Sequence, residues 1–304
     1  MGIYPRAVML SNSLDGSGRA MLSEAESEYV FTHAWVPEHL VDYVVAVSGK
    51  EPFLPEDFLF YLAGRDLTVV GYPLARPFLE QELREALEEA KGRFRPSHVS
   101  VLAARLPAWR SLRPHPVQDH YFRLDLEGTT PGPNVRNMLR RASREIHLQE
   151  GRELSQTHLN LLAEFLATRE LSVPTRGIMM ALPRYVERVA GCSLWSAWDS
   201  RGNLAGFTVG QMGGGEYGFH MFQLRSCSCR VPGCSDLLLW ALVQRAREQG
   251  KRYLNLGLGI NPGVAFFKEK WGAVPFVPHH EGSYSPWDWR SLLGGILLWS
   301  RREA

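Results

Sequence analysis

Between residues 193 and 258 the chain repeats signals in an order that few folds satisfy. Residues 193–199 and 204–211 read as two apolar strands joined by Ser200-Arg201-Gly202-Asn203, a hairpin turn signal. Gly213-Gly214-Gly215 marks a second turn, and residues 216–224 give a third strand. A loop over 225–233 follows, then a strongly apolar helix over 235–249 that stops at Gly250, then a buried-type strand over 253–258. Hairpin, strand, loop, helix, strand is an α/β (α+β) arrangement: a mixed sheet flanked by helices.

A shorter version of the same order precedes it. Residues 58–62 and 67–72 form a hairpin pattern around Ala63-Gly64-Arg65-Asp66, Pro77 opens a helix that stops at Gly92, and residues 98–103 read as a strand. The likeness of the two strings predicts a degenerate internal duplication. At 304 residues, 45% hydrophobic and 22% charged, the chain is long enough for two folded domains and needs no disulfide or metal to hold a core. We expect a domain over 1–120, a second over 121–290 with a basic helix at 134–150, and a tail over 291–304. Residues 106–118, with three prolines, read as the linker.

The loop–helix junction carries the most specific chemistry. Arg230-Val231-Pro232-Gly233-Cys234-Ser235 stands directly before the helix. A helix N-terminus presents unpaired N–H groups and about half a positive charge, which suits a pyrophosphate. Gly233 lets the backbone approach closely and Arg230 adds charge-assisted bonds. The bland alternative is an ordinary strand-to-helix loop capped by Ser235. Cys234, at a helix start beside Arg230, is a candidate for a lowered thiol pKa. Cys227, Cys229 and Cys234 with His220 invite zinc, but Cys-x-Cys spacing is poor for a structural site, so no metal is expected.

Glu216 and His220 share a strand face by alternation, and either is a candidate base. Asn255, in the next strand, is placed to orient a substrate. Arg136, Arg140 and Arg144 fall on one helical stripe and suit a phosphate-bearing partner, although most such stripes are solvated faces. The net charge of +2 argues against a general nucleic-acid binder.

The order of elements and the Arg-x-x-Gly-x-Ser run resemble the GNAT acyltransferase superfamily, whose motif ends in Gly or Ala where this chain has Ser235. Phe267-Lys268-Glu269-Lys270-Trp271-Gly272 after the last strand resembles the Fem-type peptidyltransferases, and Pro232–Asp236 with Asn255-Leu256-Gly257-Leu258 resembles the catalytic domain of lysyl-phosphatidylglycerol synthases. The resemblance spans about 134–277. It implies tandem GNAT-like domains, with Arg230, Gly233, Cys234 and Ser235 holding the donor and Lys268 stabilising charge, its stem packed on Trp271. It also implies a donor that is acyl-CoA, acetyl-CoA included, or aminoacyl-tRNA, and an amine or hydroxyl acceptor on a small molecule or peptide. The near-neutral charge tips the donor towards acyl-CoA. The N-terminal counterpart of the donor loop, residues 72–78, has two prolines and no glycine and is expected to have lost donor binding. A non-catalytic ligand- or protein-binding module is the rival reading.

The start of the chain lacks the pattern of a secretory signal, and four cysteines in that context lead us to expect reduced thiols in the cytoplasm. Residues 292–299 are apolar but far too short to span a bilayer; they suit docking on a domain or contact with a membrane surface.

Overall fold

The computed structural model describes residues 22–285 except 110, 111, 117 and 129. The expected tail and its apolar stretch at 292–299 lie outside the described residues. Helices α1 (Glu24–His33) and α2 (Val41–Ser48) flank a 3-10 turn at Pro37–His39. Strands β1 (Glu51–Phe53), β2 (Leu59–Ala63) and β3 (Asp66–Val70), helix α3 (Glu80–Phe94) and strands β4 (His98–Ala103) and β5 (Arg113–Pro114) complete the first half. The second half runs β6 (Asp119–Asp125), α4 (Pro133–Glu145), β7 (Ile146–Gly151), α5 (Gln156–Thr168), α6 (Val173–Arg188), β8 (Cys192–Asp199), β9 (Leu204–Gln211) and β10 (Tyr217–Arg225). It ends with α7 (Cys234–Glu248), β11 (Tyr253–Leu258), α8 (Pro262–Lys270) and β12 (Val274–Tyr284).

The strands form one mixed sheet in the order β1-β2-β3-β4-β12-β6-β11-β10-β9-β8-β7, with β5 on the side of β12. Two pairs in it are parallel, β3 with β4 and β10 with β11, and each is joined by a helix, α3 or α7. In both cases an antiparallel hairpin, β2–β3 or β9–β10, leads in. The duplicated order read from the sequence is therefore a duplicated hairpin–helix–strand unit in space. Strand β12 joins the copies: its first part, Val274 to His279, pairs with β6, and its second part, His280 to Tyr284, pairs with β4.

Helix α7 buries Leu237, Leu238, Leu239, Ala241, Leu242, Val243 and Ala246. Such a helix is covered on most sides. Strand β9 is buried along its whole length, which is why it reads as a continuous apolar run and not as an alternation.

Several elements depart from expectation. The basic helix ends at Glu145; Ile146 to Gly151 instead pairs with β8 as the last strand, with the alternation of Ile146 and Leu148 matching a period of two. α4 starts at Pro133 with Gly132 as its cap, since proline suits the first helical position. α3 begins at Glu80, three residues after Pro77, and passes through Gly92 to a left-handed cap at Arg95. α6 keeps its sixteen residues although Pro183 lies inside it, where proline normally ends a helical pattern.

The stretch from Ala34 to Ser48 reaches the second half. Ala46 of α2 lies in the same core as Leu182 and Tyr185 of α6, and Leu40 packs with Phe219 of β10. The stretch between α1 and α2 thus crosses the second half's sheet, and the expected division at 120/121 falls inside β6.

Candidate active site

Strands β10 and β11 run in parallel register for three pairs, ending at Phe219 with Asn255. Beyond that level both bulge. β10 slips against β9 between His220 and Phe222, and β11 slips against β6 between Asn255 and Leu258, where Gly257 takes φ 75°. A bulge adds twist and ends regular pairing, so the strands part and open a gap in the sheet. The bulge also brings Phe219 and Phe222 to one face of the sheet, opposite Gln211 and Val209, where Phe219 packs with Ala34 and Leu40 and Phe222 with the core under α5 and α6.

Lys268 reaches this gap from α8. The helix is started by Asn261, whose side chain accepts from the N–H of Val264 at 3.0 Å, and by Pro262 at its first position. Lys268 is 4% exposed; its Nζ donates to the carbonyl of Leu258 and lies 5.5 Å from the ring centroid of Phe122. The lysine turns inward to this strand carbonyl, whereas Trp271 stacks on Trp240 at 6.2 Å. Burial pushes the ammonium down to about 7, and the carboxylate of Asp119 opposes that shift.

Asp119, which no sequence pattern marked, fixes the approach to α8. Its Oδ1 accepts from the N–H of Gly259 at 2.9 Å and its Oδ2 from that of Ile260 at 2.7 Å. Ile260 is held there at φ 60°, a conformation costly for a β-branched residue. A Cβ on Gly259 would stand 2.7 Å from Oδ1 of Asp119, so the close approach requires glycine.

His220 shares the gap. Burial, and then the charge of Lys268, push its imidazole down to about 3, so it is neutral at physiological pH. Its Nε2 is buried with no hydrogen-bond partner among the described residues. A depressed pKa makes His220 a poor base, but a neutral ring can still donate one hydrogen bond.

Two other sequence candidates stand elsewhere. Asn255 is fully buried: Nδ2 donates to the carbonyl of Trp35 at 2.9 Å and Oδ1 accepts from the N–H of Gly257 at 2.8 Å. It ties the N-terminal segment to β11. Glu216 precedes β10 at the far end from the gap, 61% exposed and 3.5 Å from Arg252, so strand alternation does not bring it to His220.

The loop before α7 is compact. Oγ of Ser226 accepts from the N–H groups of Ser228 and Cys229, each at 3.1 Å, and the exposed Arg230 folds back to donate from Nε to the carbonyl of Cys227 at 3.0 Å. Gly233, at φ 82°, is the helix cap, and no side chain caps the helix, Ser235 included. A Cβ on Gly233 would lie 2.6 Å from the carbonyl of Met138 in α4, so the glycine answers to helix packing as well as to any ligand. The lowered pKa expected for Cys234 is corrected: the thiol is 1% exposed, and burial pushes it up to about 11. Desolvation outweighs the helix start here.

Asp236, in the first turn of α7, is 4% exposed and holds α8 to α7. Its Oδ1 accepts from Trp271 Nε1 at 2.9 Å and from Lys270 Nζ at 2.6 Å. The Pro-Gly-x-x-Asp run thus links the loop to the helix that carries Lys268. Arg136, Arg140 and Arg144 are exposed on α4, which packs against this loop; Arg136 donates to the carbonyl of Pro131 at 3.1 Å, and Arg140 and Arg144 make no ion pair among the described residues.

In the first half the equivalent position is filled from within. The carboxylate of Asp57, 1% exposed, accepts from the N–H groups of Ala75 and Arg76 at 3.0 and 2.7 Å and from the hydroxyl of Tyr29. An internal anion sits on the backbone donors of the loop at 72–78.

No protein-family profile matches the chain, and no curated protein does. Solved structures do. L-PGS from Bacillus licheniformis superposes with a TM-score of 0.57 at 16% identity, covering 90% of this chain and 96% of that one. FemX gives 0.57 at 9% identity over 86% and 96%, and a GCN5-related N-acetyltransferase from Kribbella flavida gives 0.51 at 10% identity over 81% and 96%. The chain has the GNAT fold. Within the GNAT fold of the second half, the parted parallel strands are β10 and β11 and the loop–helix junction is the start of α7. Among the described residues no helix is long and apolar enough to cross a membrane.

Proposed function

We propose that the protein is an acyltransferase that moves an acyl group from acyl-CoA onto an amine or hydroxyl. The observation that carries this reading is the convergence of Lys268 and the unpartnered Nε2 of His220 where β10 and β11 part. Both are donors in a site of low dielectric, where they favour charge that develops on an oxygen. The start of α7, uncapped by any side chain and bordered by Arg230, offers the donor's phosphates N–H groups and positive field.

In the reaction, the neutral acceptor nitrogen or oxygen attacks the thioester carbonyl carbon. The carbonyl π pair moves onto oxygen, which Lys268 and the N–H of His220 stabilise. Collapse re-forms the carbonyl, breaks the carbon–sulfur bond and releases CoA thiolate, which takes the proton given up by the acceptor.

The arginines of α4 beside the same loop favour a second reading, in which the donor is aminoacyl-tRNA and Arg140 and Arg144 meet its phosphates. Titration calorimetry of acetyl-CoA into the wild type and into Arg230→Glu tests the first. We expect binding by the wild type and at least tenfold weaker binding by the variant. Equal affinities would remove the loop as the donor site. No binding by either, with salt-sensitive binding of aminoacyl-tRNA weakened by Arg140→Glu with Arg144→Glu, would transfer the proposal to the second donor. Failure of both would leave a non-catalytic binding module.

A further inference from the structure

The second half holds a cavity at the start of β8, which β9 separates from the parted strands. It measures about 550 Å³ and opens between the connection from β7 to α5, the end of α6 and β8. Ligand pockets run from about 300 to 1,000 Å³. Its origin is local. Pro183 lines it from inside α6, where a proline supplies no N–H to the carbonyl four residues back and its ring crowds that carbonyl. Ala190, also in the wall, puts only a methyl group where α6 gives way to β8.

The lining is apolar over Leu154, Leu159, Val186 and Val189, and the thiol of Cys192 joins it, since burial pushes that thiol up to about 11 and keeps it uncharged. Three exposed charged side chains complete the wall. Arg152 and Glu153 come from the connection after β7, and Glu187 comes from the last turn of α6, the helix end that carries partial negative charge. None of the three makes an ion pair or a side-chain hydrogen bond among the described residues. A neighbour does pair: Glu150, on β7, meets Arg245 at 3.8 Å. A lone surface charge is merely solvated. Charges of both signs, carried by two separate elements around one apolar lining, suit a ligand that itself carries both signs and an apolar body.

We propose that this cavity binds a free α-amino acid with an apolar side chain. The guanidinium of Arg152 takes the carboxylate, whose geometry its planar fork matches. Glu153 and Glu187 take the ammonium, and the apolar lining takes the side chain. An acid or an amine alone leaves one set of charges without its counterpart. The site is independent of the acyltransferase reading: it uses no residue of α7, α8 or the loop before α7, and its occupancy is measured without a donor.

Calorimetric titrations of L-leucine, 4-methylpentanoate and 3-methylbutylamine decide it; the last two are leucine without its ammonium and without its carboxylate. The wild type is expected to bind leucine at least tenfold more tightly than either fragment. Arg152→Gln should remove the advantage over the amine, and Glu153→Gln with Glu187→Gln the advantage over the acid. All three side chains are exposed, so these variants keep the fold. Ala190→Trp, which fills the cavity, should abolish leucine binding with an unchanged circular dichroism spectrum. Leucine bound no better than its fragments, no binding of any of the three, or leucine affinity unchanged in the charge variants overturns the proposal. Acetyl-CoA titrated in parallel reports on the donor loop alone, so a failed acyl-transfer reading and a failed amino-acid site give different results.

Discussion

Consider Lys268→Met. The native-state pKa of about 7 lies below the ordinary lysine value of 10.5, so between those limits the unfolded chain binds the extra proton. Stability then rises with pH across that window. At 1.36 kcal/mol per unit, the native state carries a penalty of about 4 kcal/mol from this residue at pH 7 and about 2 kcal/mol at pH 9. Methionine fills similar space without the charge but leaves the carbonyl of Leu258 without its donor, at a cost of about 1–3 kcal/mol. The variant should therefore be more stable than the wild type by about 1–3 kcal/mol at pH 7. The advantage should shrink by about 2 kcal/mol at pH 9. Urea unfolding followed by tryptophan fluorescence at both pH values measures it, and every other titrating group is common to the two proteins. A stability difference that is the same at pH 7 and pH 9, or a variant less stable at pH 7, would refute the burial argument. A large loss of acyl transfer by the stabilised variant would separate function from folding.

Two further outcomes follow from the donor loop. Gly233→Ala combines a left-handed backbone with a methyl 2.6 Å from the carbonyl of Met138, and should cost about 3 kcal/mol in the same assay; a loss below 1 kcal/mol would mean that α4 yields readily. Iodoacetamide at pH 8 followed by mass spectrometry should label the exposed Cys227 while sparing Cys234, whose thiol is both covered and held near 11; rapid labelling of Cys234 in the folded protein would contradict its burial.

Much of this architecture is written in local signals. The hairpin turn at Gly202 and the glycine at the start of α7 act over a few residues, so their backbone demands show in the sequence. The apolar length of α7 announced a covered helix for the same reason. Lys268 was legible only through its neighbours: the Phe-Lys pair after β11 marked it, but nothing local showed that it points at Phe122 and not at Trp271.

What tertiary structure decided is which polar groups meet. Strand alternation placed Glu216 with His220, yet β10 begins only at Tyr217 and Glu216 stands exposed before it beside Arg252. Asn255 also anchors the N-terminal segment, through the carbonyl of Trp35, 220 residues away. Cys234 had the position of a reactive thiol, and only the packing of α7 raised its pKa. Asp119 was unmarked, because it owes its role to partners 140 and 141 residues distant. Backbone propensity and apolar period are properties of short segments, so the sequence determined the elements and their order. Desolvation and charge pairing depend on segments remote in the chain, so the chemistry of the site waited for the fold.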